Sequence, residues 1–100
     1  MATFHLSIVT PDGVVFEDDA EALAAPGACG SFGVLANHAP MVAAVEPGDF
    51  KITAGKDLHF AVGFGILEVD ANSVTFLSDH ATKAESHEDA IKIASTFPRQ

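Results

Sequence analysis

The sequence predicts an all-β domain, a sandwich or barrel of short strands closed by one C-terminal helix. Three observations predict it. Apolar and polar residues alternate with a period of two in several segments. Gly, Pro, Asn and Asp punctuate those segments at regular intervals. The period lengthens to that of a helix only near the end, which divides the chain into a strand body, residues 1–82, and a helical tail, residues 83–100. A length of 100 residues suits one domain, and a hydrophobic share of 48% is that of a chain that folds around a core.

Taken in order, Phe4, Leu6 and Ile8 alternate with His5, Ser7 and Val9, the pattern of a half-buried strand. Pro11-Asp12-Gly13 has turn chemistry, and Val14-Val15-Phe16 starts the next strand. Residues 20–25 are rich in alanine, which favours helix, but six residues before Pro26-Gly27 are too few for one, so a strand is expected. Residues 41–45 are apolar, Pro47-Gly48 turns the chain, and Phe50 and Ile52 alternate with Lys51 and Thr53. Ala54-Gly55-Lys56-Asp57 reads as a hairpin loop before the strand 58–62. Two further strands, 66–69 and 74–77, flank the turn Asp70-Ala71-Asn72-Ser73. Gly33 and Gly48 lie beside turns, where a positive φ would account for them. In the tail, Ser86 and Asp89 are placed as a capping-box start. Ala90, Ile93, Ala94 and Phe97 follow on one helical face, and Pro98 ends the expected helix at 97. A helix of about three turns is marginal alone and must dock on something.

Charge removes whole classes of function. The net charge is −9, and the five basic residues, Lys51, Lys56, Lys83, Lys92 and Arg99, are scattered. Nucleic-acid and anionic-lipid binders need clustered cations, so neither partner is expected; the net charge favours solubility, or a partner with a basic surface. Cys29 is the only cysteine, which excludes an intrachain disulfide. No apolar run approaches the roughly 18 residues of a membrane span, and Met1-Ala2-Thr3-Phe4-His5 has no basic flank. Solubility where the chain is made is expected, with any membrane contact made through a complex.

Chemistry-bearing motifs are weak. The glycine-dense stretch from Gly27 to Gly33 lacks the Gly-Lys-Ser/Thr end of a phosphate loop, and Gly63-Phe64-Gly65 lacks the third glycine of a dinucleotide fingerprint. Both read more simply as tight turns and close strand packing. The five histidines include no His pair at helical metal spacing and no HxH. His38, His59 and His80 with Glu68 would suit a cupin-like metal enzyme if they converged inside a sandwich, which is the alternative reading. Scattered histidines are more often surface residues. Cys29 beside glycines reads as a small loop residue, and Glu17-Asp18-Asp19 as a solvated strand end. No catalytic residue, cofactor site or metal site is assigned. Asn37-His38-Ala39-Pro40 is a polar, rigid segment, an ordinary turn on the bland reading.

The motif Gly30-Ser31-Phe32-Gly33-Val34-Leu35-Ala36-Asn37-His38-Ala39-Pro40 resembles the G-x-x-G-x-L-x-x-H-x-P segment of ATP synthase epsilon subunits. Val45-Glu46-Pro47-Gly48 resembles the turn that follows it. Gly63-Phe64-Gly65-Ile66-Leu67-Glu68-Val69 and Val74-Thr75-Phe76-Leu77-Ser78-Asp79-His80-Ala81 resemble the family's G-G-x-L-E-V and V-x-x-L-x-D-x-A blocks, in order and in register. The resemblance implies a β-sandwich of about ten strands followed by C-terminal helices, with the sandwich whole here and the helical part reduced to one short helix. It implies a non-catalytic rotor subunit of a proton-translocating F-type ATP synthase, set between the gamma subunit and the membrane c-ring, with no cofactor. Gamma contact would fall on Asn37, His38, Ala39, Pro40 and Met41. The c-ring would meet the loop Pro26, Gly27, Ala28, Cys29, Gly30, Ser31, Phe32 and Gly33, with Ser31 where some relatives carry an acidic residue. Regulatory inhibition by the C-terminal helices is expected to be absent or reduced. The expected location is the cytoplasmic face of a bacterial inner membrane, ahead of the stromal side in a chloroplast.

Overall fold

Short alternating segments separated by connections of one to five residues leave the chain little choice but to zigzag, and the computed structural model, which describes residues 2–98, contains ten strands and one helix. In chain order these are β1 Phe4–Thr10, β2 Gly13–Ala20, β3 Ala22–Gly27, β4 Gly30–Leu35 and β5 Met41–Val45. They continue as β6 Gly48–Thr53, β7 Asp57–Val62, β8 Gly65–Asp70, β9 Ser73–Ser78, β10 Ala81–Ala84 and α1 His87–Ala94. Sheet A has the order β2-β1-β9-β8-β5 and sheet B the order β10-β7-β6-β3-β4. Neighbours are antiparallel except β1 and β9, which run parallel.

The inward residues of each strand meet between the sheets. Phe4, Leu6, Ile8, Leu67, Val69, Val74 and Phe76 of sheet A face Leu23, Val34, Phe50, Ile52, Phe60 and Val62 of sheet B, all buried. The rings of Phe50 and Phe76 stack across the gap with centroids 4.7 Å apart, and Phe16 meets Phe60 edge-on at 5.7 Å. Two sheets packed at interior density resist shear, so surface features keep fixed positions relative to one another.

The residue-by-residue reading leaves out β4 and β10. β4 was hidden because Gly30, Ser31 and Gly33 read as turn, although Gly30–Leu35 pairs with Ala22–Gly27 along its length. Residues 26–33 are therefore not a loop but the end of a hairpin, with only Ala28 and Cys29 outside the strands. Nor do Gly33 and Gly48 adopt positive φ; the glycines that do are Gly13, Gly30 and Gly55. At Gly48 the chain passes close to β3, and a Cβ there would lie 3.2 Å from the Pro26 ring.

The helix is shorter than the expected 86–97. Ser86 caps it, its hydroxyl accepting from the Asp89 amide at 3.0 Å, while the Asp89 carboxylate accepts from the Glu85 amide. At the other end the Ser95 and Thr96 hydroxyls donate to the Lys92 and Ile93 carbonyls, and the Thr96 and Phe97 amides tighten to i−3 carbonyls. Those side chains compete with the helical ladder and unwind it before Pro98. α1 lies on the outer face of sheet B, over β6, β7 and β10.

Candidate docking surfaces

The outer face of sheet A is uncovered and carries a continuous apolar row. The strand register places Val14 opposite Val9, Val9 beside Leu77, Leu77 opposite Ile66, and Ile66 opposite Ala44. One row thus crosses all five strands, with Val42 flanking it on β5. Val14 is 61% exposed, Leu77 53%, Ile66 48% and Val42 69%. Single exposed apolar residues are ordinary, but a row spanning a sheet marks an interaction face. Neighbouring outward positions are acidic: Glu17 lies opposite Ser7, Asp19 opposite His5, and Glu68 opposite Val42. A fitting partner therefore carries an apolar stripe edged by Lys or Arg.

The two segments singled out in the sequence sit at opposite ends of the sandwich. Asn37, at φ 65°, donates its amide to the Asn72 side-chain oxygen at 2.7 Å. The Asn72 amide group in turn donates to the Thr3 carbonyl at 2.7 Å. Asn72 occupies the turn between β8 and β9, itself at φ 63°, so one side chain ties residues 37–41 to the end of sheet A where β1 begins. Within the segment His38 Nδ1 donates to the Ala39 carbonyl at 2.7 Å, and Asn37, Ala39 and Pro40 are exposed while His38 and Met41 are half-buried.

The β3–β4 hairpin leaves the other end. The Pro26 carbonyl accepts from the Glu46 amide, just past the last residue of β5, and from there Gly27–Gly30 projects beyond the body. Ala28, Cys29, Gly30, Ser31 and Gly33 are exposed; Pro26, Gly27 and Phe32 are half-buried. The tip is closely packed at Gly27. A Cβ on Gly27 would meet the Gly30 carbonyl at 2.8 Å and the Phe32 ring at 3.0 Å, so the Phe32 ring packs onto the strand it faces. The five residues of β5 separate the two ends by roughly 17 Å.

The remaining candidates do not gather. His59 lies on the outer side of sheet B against Asp49, Glu68 is on the outside of sheet A, His80 stacks on Phe97, and His38 is in its own loop. The convergence a cupin-like site requires is not present, and among the described residues no group of His, Cys, Asp and Glu has metal-holding geometry. Glu17 and Asp19 bracket His5 instead, with Glu17 Oε2 at 3.0 Å. The hydrogen bond to Glu17, aided by Asp19, raises the His5 pKa above its ordinary 6.5 against a smaller opposing effect of desolvation. Sequence reasoning missed the apolar row and the tie that Asn72 makes to Asn37 and Thr3. The row had a signal, the apolar doublets Ile8-Val9, Ile66-Leu67 and Phe76-Leu77, which put one apolar residue on each face of a strand.

Among the described residues no helix is long and apolar enough to cross a membrane. Residues 3–84 match the family described as the ATP synthase delta/epsilon chain β-sandwich domain. An ATP synthase epsilon chain of Rhodopseudomonas palustris strain TIE-1 is 46% identical over 85 residues, covering 84% of this chain and 63% of that protein. One from strain BisA53 is 42% identical over 97 residues, covering 96% and 71%. This chain thus spans 63% of the length of the first of these relatives. A chain in the cryo-EM structure of the Euglena gracilis mitochondrial ATP synthase (OSCP/F1/c-ring) superimposes with a TM-score of 0.79 at 23% identity, covering 95% of this chain and 61% of that one. A chain from the Tetrahymena thermophila mitochondrial ATP synthase central stalk and c-ring gives 0.67 at 17%, covering 78% and 64%. At those identities the two structures speak for the fold alone. Sandwich, register and family match agree, and the chain belongs to the ATP synthase delta/epsilon family, whose β-sandwich domain it contains.

Proposed function

We propose that this chain is a non-catalytic rotor subunit of a proton-translocating F-type ATP synthase, linking the gamma subunit to the membrane c-ring. The observation that carries the reading is the apolar row across sheet A, an uncovered face on a protein whose family assembles into that complex. In this reading gamma lies along the outer face of sheet A, from the row, at the Val45 end of β5, to the segment Asn37, His38, Ala39, Pro40 and Met41 at the end where β1 begins. The hairpin end, from Pro26 to Gly33, points the opposite way and meets the c-ring. A sandwich loaded at both ends transmits torque because its sheets are locked by stacked rings such as Phe50 and Phe76.

No chemistry is asked of the chain; it contributes attachment and stiffness while catalysis belongs to other subunits. The complex would hold it peripherally at the cytoplasmic face of a bacterial inner membrane. Tagged protein expressed in a bacterium with an F-type synthase tests the proposal. Recovery of gamma and the c-ring with the tag, in fixed proportion and resistant to washing, is expected. Recovery of the tagged chain alone, from cells whose synthase is intact, would overturn it.

A further inference from the structure

The outer face of sheet A carries one imidazole among carboxylates. His5, on β1, reaches Glu17 of β2 through Nε2 at 3.0 Å and Asp19 of β2 through Nδ1 at 3.5 Å. Carboxylates only accept, and a neutral imidazole has a single N–H, so the neutral ring serves one of the two and the imidazolium serves both. Among the described residues, the other histidines face a carboxylate through one nitrogen or none. His59 and His87 each turn Nδ1 to Asp49, His38 turns Nδ1 to a backbone carbonyl, and His80 stacks on Phe97.

On the other side of His5, β9 presents Ser73 and Thr75, which do not titrate near neutral pH. Beyond them β8 adds Asp70 opposite Ser73 and Glu68 opposite Thr75. No Lys or Arg stands on the five strands of sheet A, so His5 is the one side chain of this sheet that can carry positive charge. The hydrogen bond to Glu17 raises its pKa above the ordinary 6.5, and near neutral pH part of the population is charged. The ring also lies within the proposed docking face. The His5 amide donates to the Asn72 carbonyl, in the turn that ties Asn37, and Val9 of the apolar row lies further along the same strand.

We propose that His5 makes docking on sheet A proton-linked: a partner edged with Lys or Arg takes over Glu17 and Asp19, His5 gives up its proton to water, and affinity rises with pH. The linkage rests on the rotor reading, with gamma as the partner. A Lys or Arg set against Glu17 replaces the hydrogen bond that favours the charged ring and adds a like charge beside it. Both effects lower the His5 pKa in the complex. Below the free chain's value the complex forms only with loss of a proton, so binding weakens as pH falls through that value. Above it the two carboxylates are already free for the partner.

Titration calorimetry of gamma into the full chain, in phosphate and in Tris buffers at the same pH, counts the protons exchanged on binding. The parent is expected to release more protons than His5→Gln, whose side chain cannot be protonated. Between about pH 8 and about pH 6 the parent's affinity should fall by about threefold or more relative to that of His5→Gln, a ratio in which gamma's own titrating groups cancel. Equal proton counts and parallel affinity profiles in the two proteins would overturn the linkage and leave the rotor reading standing. Proton uptake by the parent relative to the variant would overturn it too, since the partner would then bring negative charge to His5. No binding of gamma by either protein at any pH would refute the rotor reading and the linkage with it.

Discussion

Replacing Ile66 and Leu77 together by Gln strips the centre of the apolar row without entering the core. Leu77 is 53% exposed and Ile66 48%, while their neighbours Leu67 and Phe76 point inward and are fully buried. Complete burial of a Leu or Ile side chain stabilises by about 1.5–3 kcal/mol. A partner that covers the exposed half of both would gain about 1.5–3 kcal/mol from the pair, or about ten- to a hundredfold in affinity. The introduced amides also need hydrogen bonds in the covered face, which moves the loss towards the upper value. Folding should hardly register the change, because substitutions at exposed strand positions stay within about 0.5 kcal/mol each. Titration calorimetry against the gamma subunit, with urea unfolding of the same proteins, reads both quantities. An affinity equal to the parent's with an unchanged unfolding midpoint would refute the docking face.

Three further outcomes follow from individual contacts. Gly65→Val places a Cβ against the Leu77 carbonyl and the Phe76 ring and should lower stability by about 1–3 kcal/mol, whereas Gly33→Ala, whose nearest neighbour is the Leu23 carbonyl at 3.5 Å, should be tolerated; denaturant midpoints in the reverse order would contradict this. Asn72→Gly keeps the positive φ but removes the bonds to Asn37 and Thr3, so amide exchange at Asn37 should accelerate with little change in the melting temperature, and unaltered exchange there would remove Asn72 as the tie. The His5 imidazole should titrate above 6.5 by NMR and return towards it in Glu17→Gln. Because the folded value is the raised one, the stabilisation from that pair is complete below pH 6.5 and is lost as pH rises through the folded value; a parent midpoint at or below 6.5 would count against the pairing.

The strand body was legible because burial alternates with the pleat. Phe4, Leu6 and Ile8 point inward, as do Phe50 and Ile52, and the turn at Ala71-Asn72 falls where Asn chemistry placed it. β4 was not legible because its residues are small. Gly30, Ser31 and Gly33 carry no periodic signal, and their strand exists through pairing with β3, a long-range fact. β10 was missed for the same reason, its four residues acquiring strand geometry from β7. The tail periodicity identified the right face of α1, with Ala90 and Ala94 buried, but not its end. Hydroxyls at Ser95 and Thr96 capture carbonyls that the ladder would otherwise use. Of the docking surfaces, the local motifs around His38 and Gly30 were visible as sequence. The row from Val14 to Ala44 left only a partial trace, the doublets Ile8-Val9, Ile66-Leu67 and Phe76-Leu77, because it runs across five strands and along none.

Cross-linking from fixed positions in the assembled synthase tests the central claim most directly. Cys29 is exposed at the hairpin tip and is the chain's one cysteine, so a photoactivatable maleimide attaches there and nowhere else. A second protein, Cys29→Ser with His38→Cys, carries the same probe at the opposite end of the sandwich. The account predicts adducts with the c subunit from position 29 and with gamma from position 38. Adducts with the partners exchanged, or with neither subunit from either position, would contradict it.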